Sequence, residues 1–380
     1  MNKKIWLSPP DMSGKEMKYI QEAFDTNWIA PLGPNVTEFE NTLQTYLGEN
    51  NFVAALSSGT AAIHLGLILA GVNQGDEVLC QSFTFSASAN PIVYLGAKPV
   101  FIDSETDTWN MCPELLEAAI LDRLEKGKKP KAIVVVDSYG MPAKWDQLVA
   151  IAKKYSLFLI EDAASALGST YKNQKCGTLG DIGILSFNGN KIITTSGGGA
   201  LVAKAKEIKE KAVFFATQSR DNAPHYQHSE IGYNYRMSNI VAGIGRGQME
   251  VLEEHITLRR AMHDFYISYF KDTKGITVLT EPTADYFSNH WLTAILVNPA
   301  QTGGKTREDL RLALDAANIE SRPLWKPMHL QPIFANYPYY GGNINESLFQ
   351  NGLCLPSSSN LTNDNRDRIK AVLDDFFLAP

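Results

Sequence analysis

Hydrophobic positions in the first two-thirds of the chain fall into two textures. Short continuous apolar runs, such as Phe52–Leu56 and the Ala-Ile-Val-Val-Val within Lys131–Asp137, predict strands buried on both faces. Longer amphipathic runs between them predict helices. The expected order begins with strand Phe52–Leu56, helix Ala61–Ala70 stopped at Gly71, strand Glu77–Cys80 and helix Ser86–Leu95 stopped at Gly96. Strand Pro99–Asp103, helix Pro113–Leu124, strand Lys131–Asp137, helix Trp145–Tyr155 and strand Leu157–Asp162 follow, with Pro113 suited to a first helical turn. Such βαβα alternation implies a mainly parallel sheet sandwiched between helices.

From about residue 246 the texture changes. Gln248–Tyr269 reads as one long, charge-rich amphipathic helix, Gly275–Thr280 and Trp291–Val297 as strands, and Thr306–Ala317 and Asn363–Phe377 as helices. The expected plan is a large α/β domain over 12–245 and a smaller α+β domain over 246–380, with segment 1–11 packing near the latter.

Composition narrows the function classes. The chain has 380 residues with 35 Lys plus Arg against 41 Asp plus Glu, a net charge of −6. That balance argues against a nucleic-acid partner, which requires a basic patch or stripe. The apolar stretch Ala61–Val72 contains His64 and is too short to cross a bilayer. Lys3 and Lys4 are not followed by a hydrophobic signal region, so no signal peptide is expected. Cys80, Cys112, Cys176 and Cys354 lie far apart, without a zinc spacing or a disulfide framework, which favours the cytoplasm and no metal site.

Three stretches carry candidate chemistry. Ser57-Ser58-Gly59-Thr60 lies between a strand and a helix, where backbone N–H groups and the helix dipole favour an anion; the other reading is an ordinary N-cap and turn. Glu161-Asp162-Ala163-Ala164-Ser165 ends a strand, where ligands gather in open α/β sheets. Its carboxylate either pairs with a cationic ligand group or caps the next helix. Ser186-Phe187-Asn188-Gly189-Asn190-Lys191 precedes Thr194-Thr195-Ser196-Gly197-Gly198-Gly199, and a lysine in such apolar and small company loses its proton readily when desolvated. Together, in this order and spacing, they are the parts needed to hold pyridoxal phosphate: a phosphate cradle, an Asp for the pyridine nitrogen and a Schiff-base lysine.

Six stretches in order resemble the DegT/DnrJ/EryC1/StrS family of sugar aminotransferases across nearly the whole chain. They are Trp28–Pro34, Ser57–Ala62, Glu161–Ala164, Gly180-Asp181, Ser186–Lys191 and Gly232–Met237. The resemblance implies a fold-type I transferase with a large, mostly parallel seven-stranded sheet and a smaller C-terminal α+β domain. It implies Lys191 and Asp162 as catalytic residues. Ser58, Gly59, Thr60, Phe85, Ser165, Ser186 and, from a neighbouring subunit of a homodimer, Asn234 are implied as further cofactor contacts. Ser165 stands where many relatives carry His or Gln, and Ser196 replaces a glutamate common in the family.

The region around Ser165, Asn188 and Ser196–Gly199, with Ser321–His329, looks most like a subgroup that aminates UDP-linked 4-keto-6-deoxy-N-acetylhexosamines on the route to bacillosamine-type sugars. Glutamate is the expected donor, and Trp28, Ile29, Arg322, Lys326 and His329 are the expected substrate contacts. The alternatives are amination at C3 or C4 of a dTDP- or GDP-linked keto sugar, and a regulatory protein of the same fold that lost turnover. A dehydratase of this fold carries histidine in place of the lysine, so Lys191 disfavours it.

Overall fold

The computed structural model describes residues 3–378. Seven strands form the body of the main sheet: β1 (Phe52–Leu56), β2 (Glu77–Gln81), β3 (Lys98–Ile102), β4 (Ala132–Val136), β5 (Phe158–Asp162), β6 (Ile182–Ser186) and β7 (Gly199–Ala203). Their spatial order is β1-β7-β6-β5-β4-β2-β3. β7 runs antiparallel to both neighbours and the remaining pairs are parallel. Side chains alternate across the sheet as period two requires. Val78, Cys80, Val134 and Ile160 face one side with Ile63, Leu65 and Leu67 of helix Gly59–Leu69; Leu79, Ile133, Val135 and Leu159 face the other with Leu116, Ile120, Trp145 and Leu148. Burying each of Ile63, Leu65 and Leu67 contributes about 1.5–3 kcal/mol.

The sheet has eight strands, not the expected seven. Tyr339–Tyr340, from far beyond residue 246, adds a two-residue parallel strand to the β3 edge, with Tyr339 opposite Phe101 and Tyr340 opposite Ile102. Two residues carry no period, so the pattern gives no sign of it. The long helix expected over Gln248–Tyr269 is two helices, Asn239–Met249 and Leu252–Phe270, broken where Val251 leaves helical backbone geometry and buries its side chain. The expected helix Ser86–Leu95 is a 3₁₀ turn, Ser86–Ser88, followed by Asn90–Tyr94; Pro91 supplies no N–H to continue one helix into the other.

Helices Glu16–Asp25 and Pro34–Leu47 pack on Asn239–Met249. The approach depends on Gly247, where an added Cβ would lie 2.7 Å from the Glu16 backbone. A second, antiparallel sheet joins Ile276–Val278, Thr293–Val297, Gly352–Leu355 and Arg322–Pro323 in that order. Its core includes Met262, Tyr266, Leu310, Leu314, Ile369 and Leu373, and Ile5 joins it from the chain's beginning, bridged to Ile319. No helix among the described residues is long and apolar enough to cross a membrane.

Candidate functional site

Parallel pairing sets the carboxyl ends of β4, β5 and β6 side by side, with Val136 opposite Asp162 and Asp162 opposite Ile184. Above them lies a cavity of about 750 Å³. Helix Gly59–Leu69 starts at its rim. Ser58, in extended backbone, caps it by accepting from the Ala61 N–H at 3.0 Å, so the capping reading of this stretch holds. The anion reading stands beside it, because Ser58, Gly59, Thr60 and Ser186 all line the cavity. A Cβ on Gly59 would come 3.2 Å from the Ser186 Cβ and would crowd the space between helix start and hydroxyl. That donor-lined recess fits a phosphate.

Asp162 is buried at the end of β5. Its Oδ2 accepts from Ser88 Oγ at 2.6 Å, and Ser88 Oγ in turn lies 2.7 Å from Thr84 Oγ1; its Oδ1 accepts from the Ala164 N–H at 3.2 Å. Burial raises its pKa, while Ser88, Ala164 and the charge of Lys191 pull the other way. A carboxylate so held fits a cationic ring nitrogen. Lys191 Nζ donates to Ser165 Oγ at 3.2 Å and sits 4.1 Å from the centre of the Trp291 ring. Trp291 Nε1 and Ser8 Oγ both donate to the Asn190 carbonyl, at 2.6 and 2.8 Å, and so fix the backbone beside the lysine.

Desolvation lowers the pKa of Lys191 to about 8, against the attraction of Asp162. An ordinary lysine titrates near 10.4. The neutral amine therefore gains the majority above pH ~8 at Lys191 but only above pH ~10 at surface lysines. Trace acetylation of the cofactor-free protein, followed by peptide mapping, is expected to show Lys191 reactivity levelling off above pH ~8 while surface lysines still climb. A profile at Lys191 matching the surface residues would contradict the shift.

The cavity thus brings together Ser58, Gly59, Thr60, Phe85, Asp162, Ser165, Ser186, Lys191 and Arg322. Phe85 is exposed above it. Lys326 and His329 do not line it, contrary to expectation. His329 is a brace: its Nδ1 and Ser82 Oγ share a hydrogen bond of 2.7 Å, its Nε2 lies 2.9 Å from Glu346 Oε1, and its ring stacks on Tyr339. Lys326 points to solvent beside it. Trp28 and Ile29 are exposed and also outside the lining, as is Asn234.

Sequence reasoning missed Ser88, Thr84 and the aromatic tier of Trp291, Tyr139 and Trp325, in which Tyr139 and Trp325 stack at 4.3 Å. Ser88 sits four residues from Thr84, which directly precedes the expected cofactor contact Phe85, a usable signal; Trp291 gives none beyond opening a strand. Below the site, Asp137, Glu161 and Cys176 converge in the core. Glu161 accepts N–H groups of Gly177, Leu179 and Gly180, whereas burial and then the Glu161 charge push the Asp137 carboxyl well up.

A model of the DegT/DnrJ/EryC1/StrS aminotransferase family matches residues 10–374. EpsN of Bacillus subtilis (strain 168), assigned as a pyridoxal phosphate-dependent aminotransferase, is 51% identical over 377 residues, covering 98% of this chain and 96% of its own. A GDP-perosamine synthase of Escherichia coli O157:H7 is 37% identical over 378 residues, covering 99% of each. The crystal structure of a DegT DnrJ EryC1 StrS aminotransferase from Brucella abortus superposes with a TM-score of 0.88 at 31% identity, covering 96% of this chain and 95% of that one. With the lysine, carboxylate and phosphate recess in one cavity, the chain belongs to the DegT/DnrJ/EryC1/StrS family of pyridoxal phosphate-dependent sugar aminotransferases.

Proposed function

We propose that this aminotransferase moves the amino group of glutamate to C4 of a UDP-linked 4-keto-6-deoxy-N-acetylhexosamine. The observation that carries the reading is the desolvated amine of Lys191 facing the same cavity as buried Asp162, with Arg322 at the cavity's wall. Bound pyridoxal phosphate supplies a conjugated ring able to take up the electron pair left when a proton leaves the donor's α-carbon. Ser58, Gly59, Thr60 and Ser186 hold the phosphate by N–H and hydroxyl donors. Asp162 pairs with the ring nitrogen, Phe85 covers a ring face, and Ser165 donates to the ring's phenolic oxygen. Lys191 Nζ, as the neutral amine, would take the proton from the donor's α-carbon. Residues 12–245 hold the cofactor, and 246–380 bring Arg322 to the sugar's diphosphate.

The UDP and C4 assignments rest on the stretches Ser196–Gly199 and Ser321–His329. The relative named GDP-perosamine synthase supports a second reading, a GDP-linked keto sugar. Incubation with glutamate and a panel of UDP-, GDP- and dTDP-linked keto sugars, with identification of the aminated product, decides between them. Amination of the UDP-linked 4-keto N-acetyl sugar is expected; a clear preference for another nucleotide overturns the assignment.

The same reading includes a homodimer in which Asn234 completes the neighbour's phosphate site, working in the cytoplasm in keeping with four unpaired cysteines. It is supported by the loop around residues 217–236, which leaves Tyr226 78% and Ile231 81% exposed in the single chain. Two-fold symmetry makes the borrowing reciprocal. Mixing inactive Lys191→Ala and Asn234→Ala chains is expected to restore part of the activity, since one hybrid site then has both residues intact. No recovery, with Asn234→Ala itself defective, would mean that each site is built within one chain.

A further inference from the structure

We propose that Trp6 is the stacking platform for the nucleobase of the substrate; this rests on the reading that the acceptor is nucleotide-linked. Trp6, Leu7 and Ser8 line one side of the cavity. Ile5, Leu7 and Ser8 are buried, whereas Trp6 is 51% exposed.

This segment is pinned. The Ile5 N–H donates to the Asn318 carbonyl at 3.0 Å, the Glu320 N–H to the Ile5 carbonyl at 2.8 Å and the Ser357 N–H to the Leu7 carbonyl at 3.0 Å. The backbone on either side of the indole is thus fixed by residues far along the chain. Lys4 Nζ lies 4.5 Å from the centre of the Trp6 ring, so the same place offers a cation beside an aromatic face.

Order along the wall points to the base and not to the sugar. Ser8 touches the carbonyl of Asn190, next to Lys191, where the reacting carbon must sit. Two residues away along the chain stands Trp6, far more exposed than Ser8. Glu320 joins the two regions: one carboxylate oxygen accepts from the Leu7 N–H at 3.0 Å, and the other holds Arg322 through Nε at 2.8 Å and Nη2 at 2.7 Å. A nucleotide sugar presents sugar, diphosphate and base in that sequence; buried Ser8 meets the neighbour of Lys191 at one end of the segment, half-exposed Trp6 stands at the other, and exposed Arg322 is tied to Leu7 between them through Glu320. The aromatic beside the reacting sugar is Trp291, already against Lys191. Trp28, expected for a sugar face, does not line the cavity.

The test measures binding of UDP, GDP and dTDP, without sugar, to the cofactor-loaded protein by calorimetry, together with glutamate affinity. For whichever nucleotide the wild type binds, Trp6→Ala is expected to weaken binding at least ~10-fold, as loss of one base–aromatic stack does. Trp6→Phe is expected to keep most of it. Wild-type-like affinity in Trp6→Ala, equal losses for nucleotide and glutamate, or a loss in Trp6→Phe as large as in Trp6→Ala would each overturn the proposal. Failure of the wild type to bind any of the three would overturn the nucleotide-sugar reading itself.

Discussion

Lys191→Ala is expected to abolish transamination and leave the fold intact. Among the described residues the side chain supplies the single lysine amine lining the cavity with Asp162 and Ser165, and two jobs fall to it: covalent capture of the cofactor and proton transfer at the donor's α-carbon. Positioned proton transfer alone accounts for about 10²–10⁴ in rate. Losing both puts turnover with glutamate at background. Stability follows a different logic. Lys191 Nζ makes one hydrogen bond, to Ser165, and desolvation disfavours its charged form, so the alanine chain is expected to melt no lower than the wild type. Reduction of the loaded wild type with borohydride and peptide mapping is expected to label Lys191. A label on another lysine, or residual turnover in Lys191→Ala, would refute the assignment.

Asp162→Asn carries the next largest effect: cofactor retained in part, turnover down at least about a hundredfold. The amide keeps the shape and can still accept from Ser88 Oγ, so the strand end stays in place. What goes is the negative charge, and with it the attraction that favours a protonated ring nitrogen. Preorganised charge at a reacting centre is worth about 10²–10³ in rate when removed. The phosphate recess at Ser58–Thr60 does not depend on it, which is why binding survives in part. Cofactor occupancy by absorbance and kcat for the glutamate half-reaction check both halves. Turnover near the wild-type rate would make Asp162 a structural residue.

How much of this could be read from the sequence depends on how local each feature is. Lys131–Asp137 announces itself as a doubly buried strand because five consecutive apolar residues suit no other place in an α/β domain, and Ala132–Val136 is β4. The hydrophobic pattern by itself gives no sign of β6 and β7: Ile182–Ser186 and Gly199–Ala203 mix glycine with apolar residues and sit among turns. Helix Pro34–Leu47 was missed for a related reason, since it follows a loop of Pro31, Leu32 and Gly33 and shows many polar positions. The gathering of Asp162, Ser186 and Lys191 in one cavity is legible because strand ends in parallel sheets converge. Trp291 is a hundred residues from Lys191, and His329 finds its partners at Ser82 and Glu346. Contacts of that span leave no trace in spacing, so a histidine that braces two segments and one that meets a ligand look alike in sequence.

The pinned segment at the chain's beginning has a consequence for synthesis. Ile5 waits for Asn318 and Glu320, Leu7 for Ser357, and Lys3 accepts from Arg368 Nη1 at 2.8 Å. Ribosomes add roughly 5–20 residues per second and domains generally fold as units from the N-terminal end. The seven strands of the sheet's body, which end at Ala203, can therefore assemble first, while residues 5–7 stay unanchored until residues 318–357 have been made. Closing so long a loop is entropically slow. Completion of the side of the cavity that carries Trp6 thus waits for Ser357, synthesised long after Lys191.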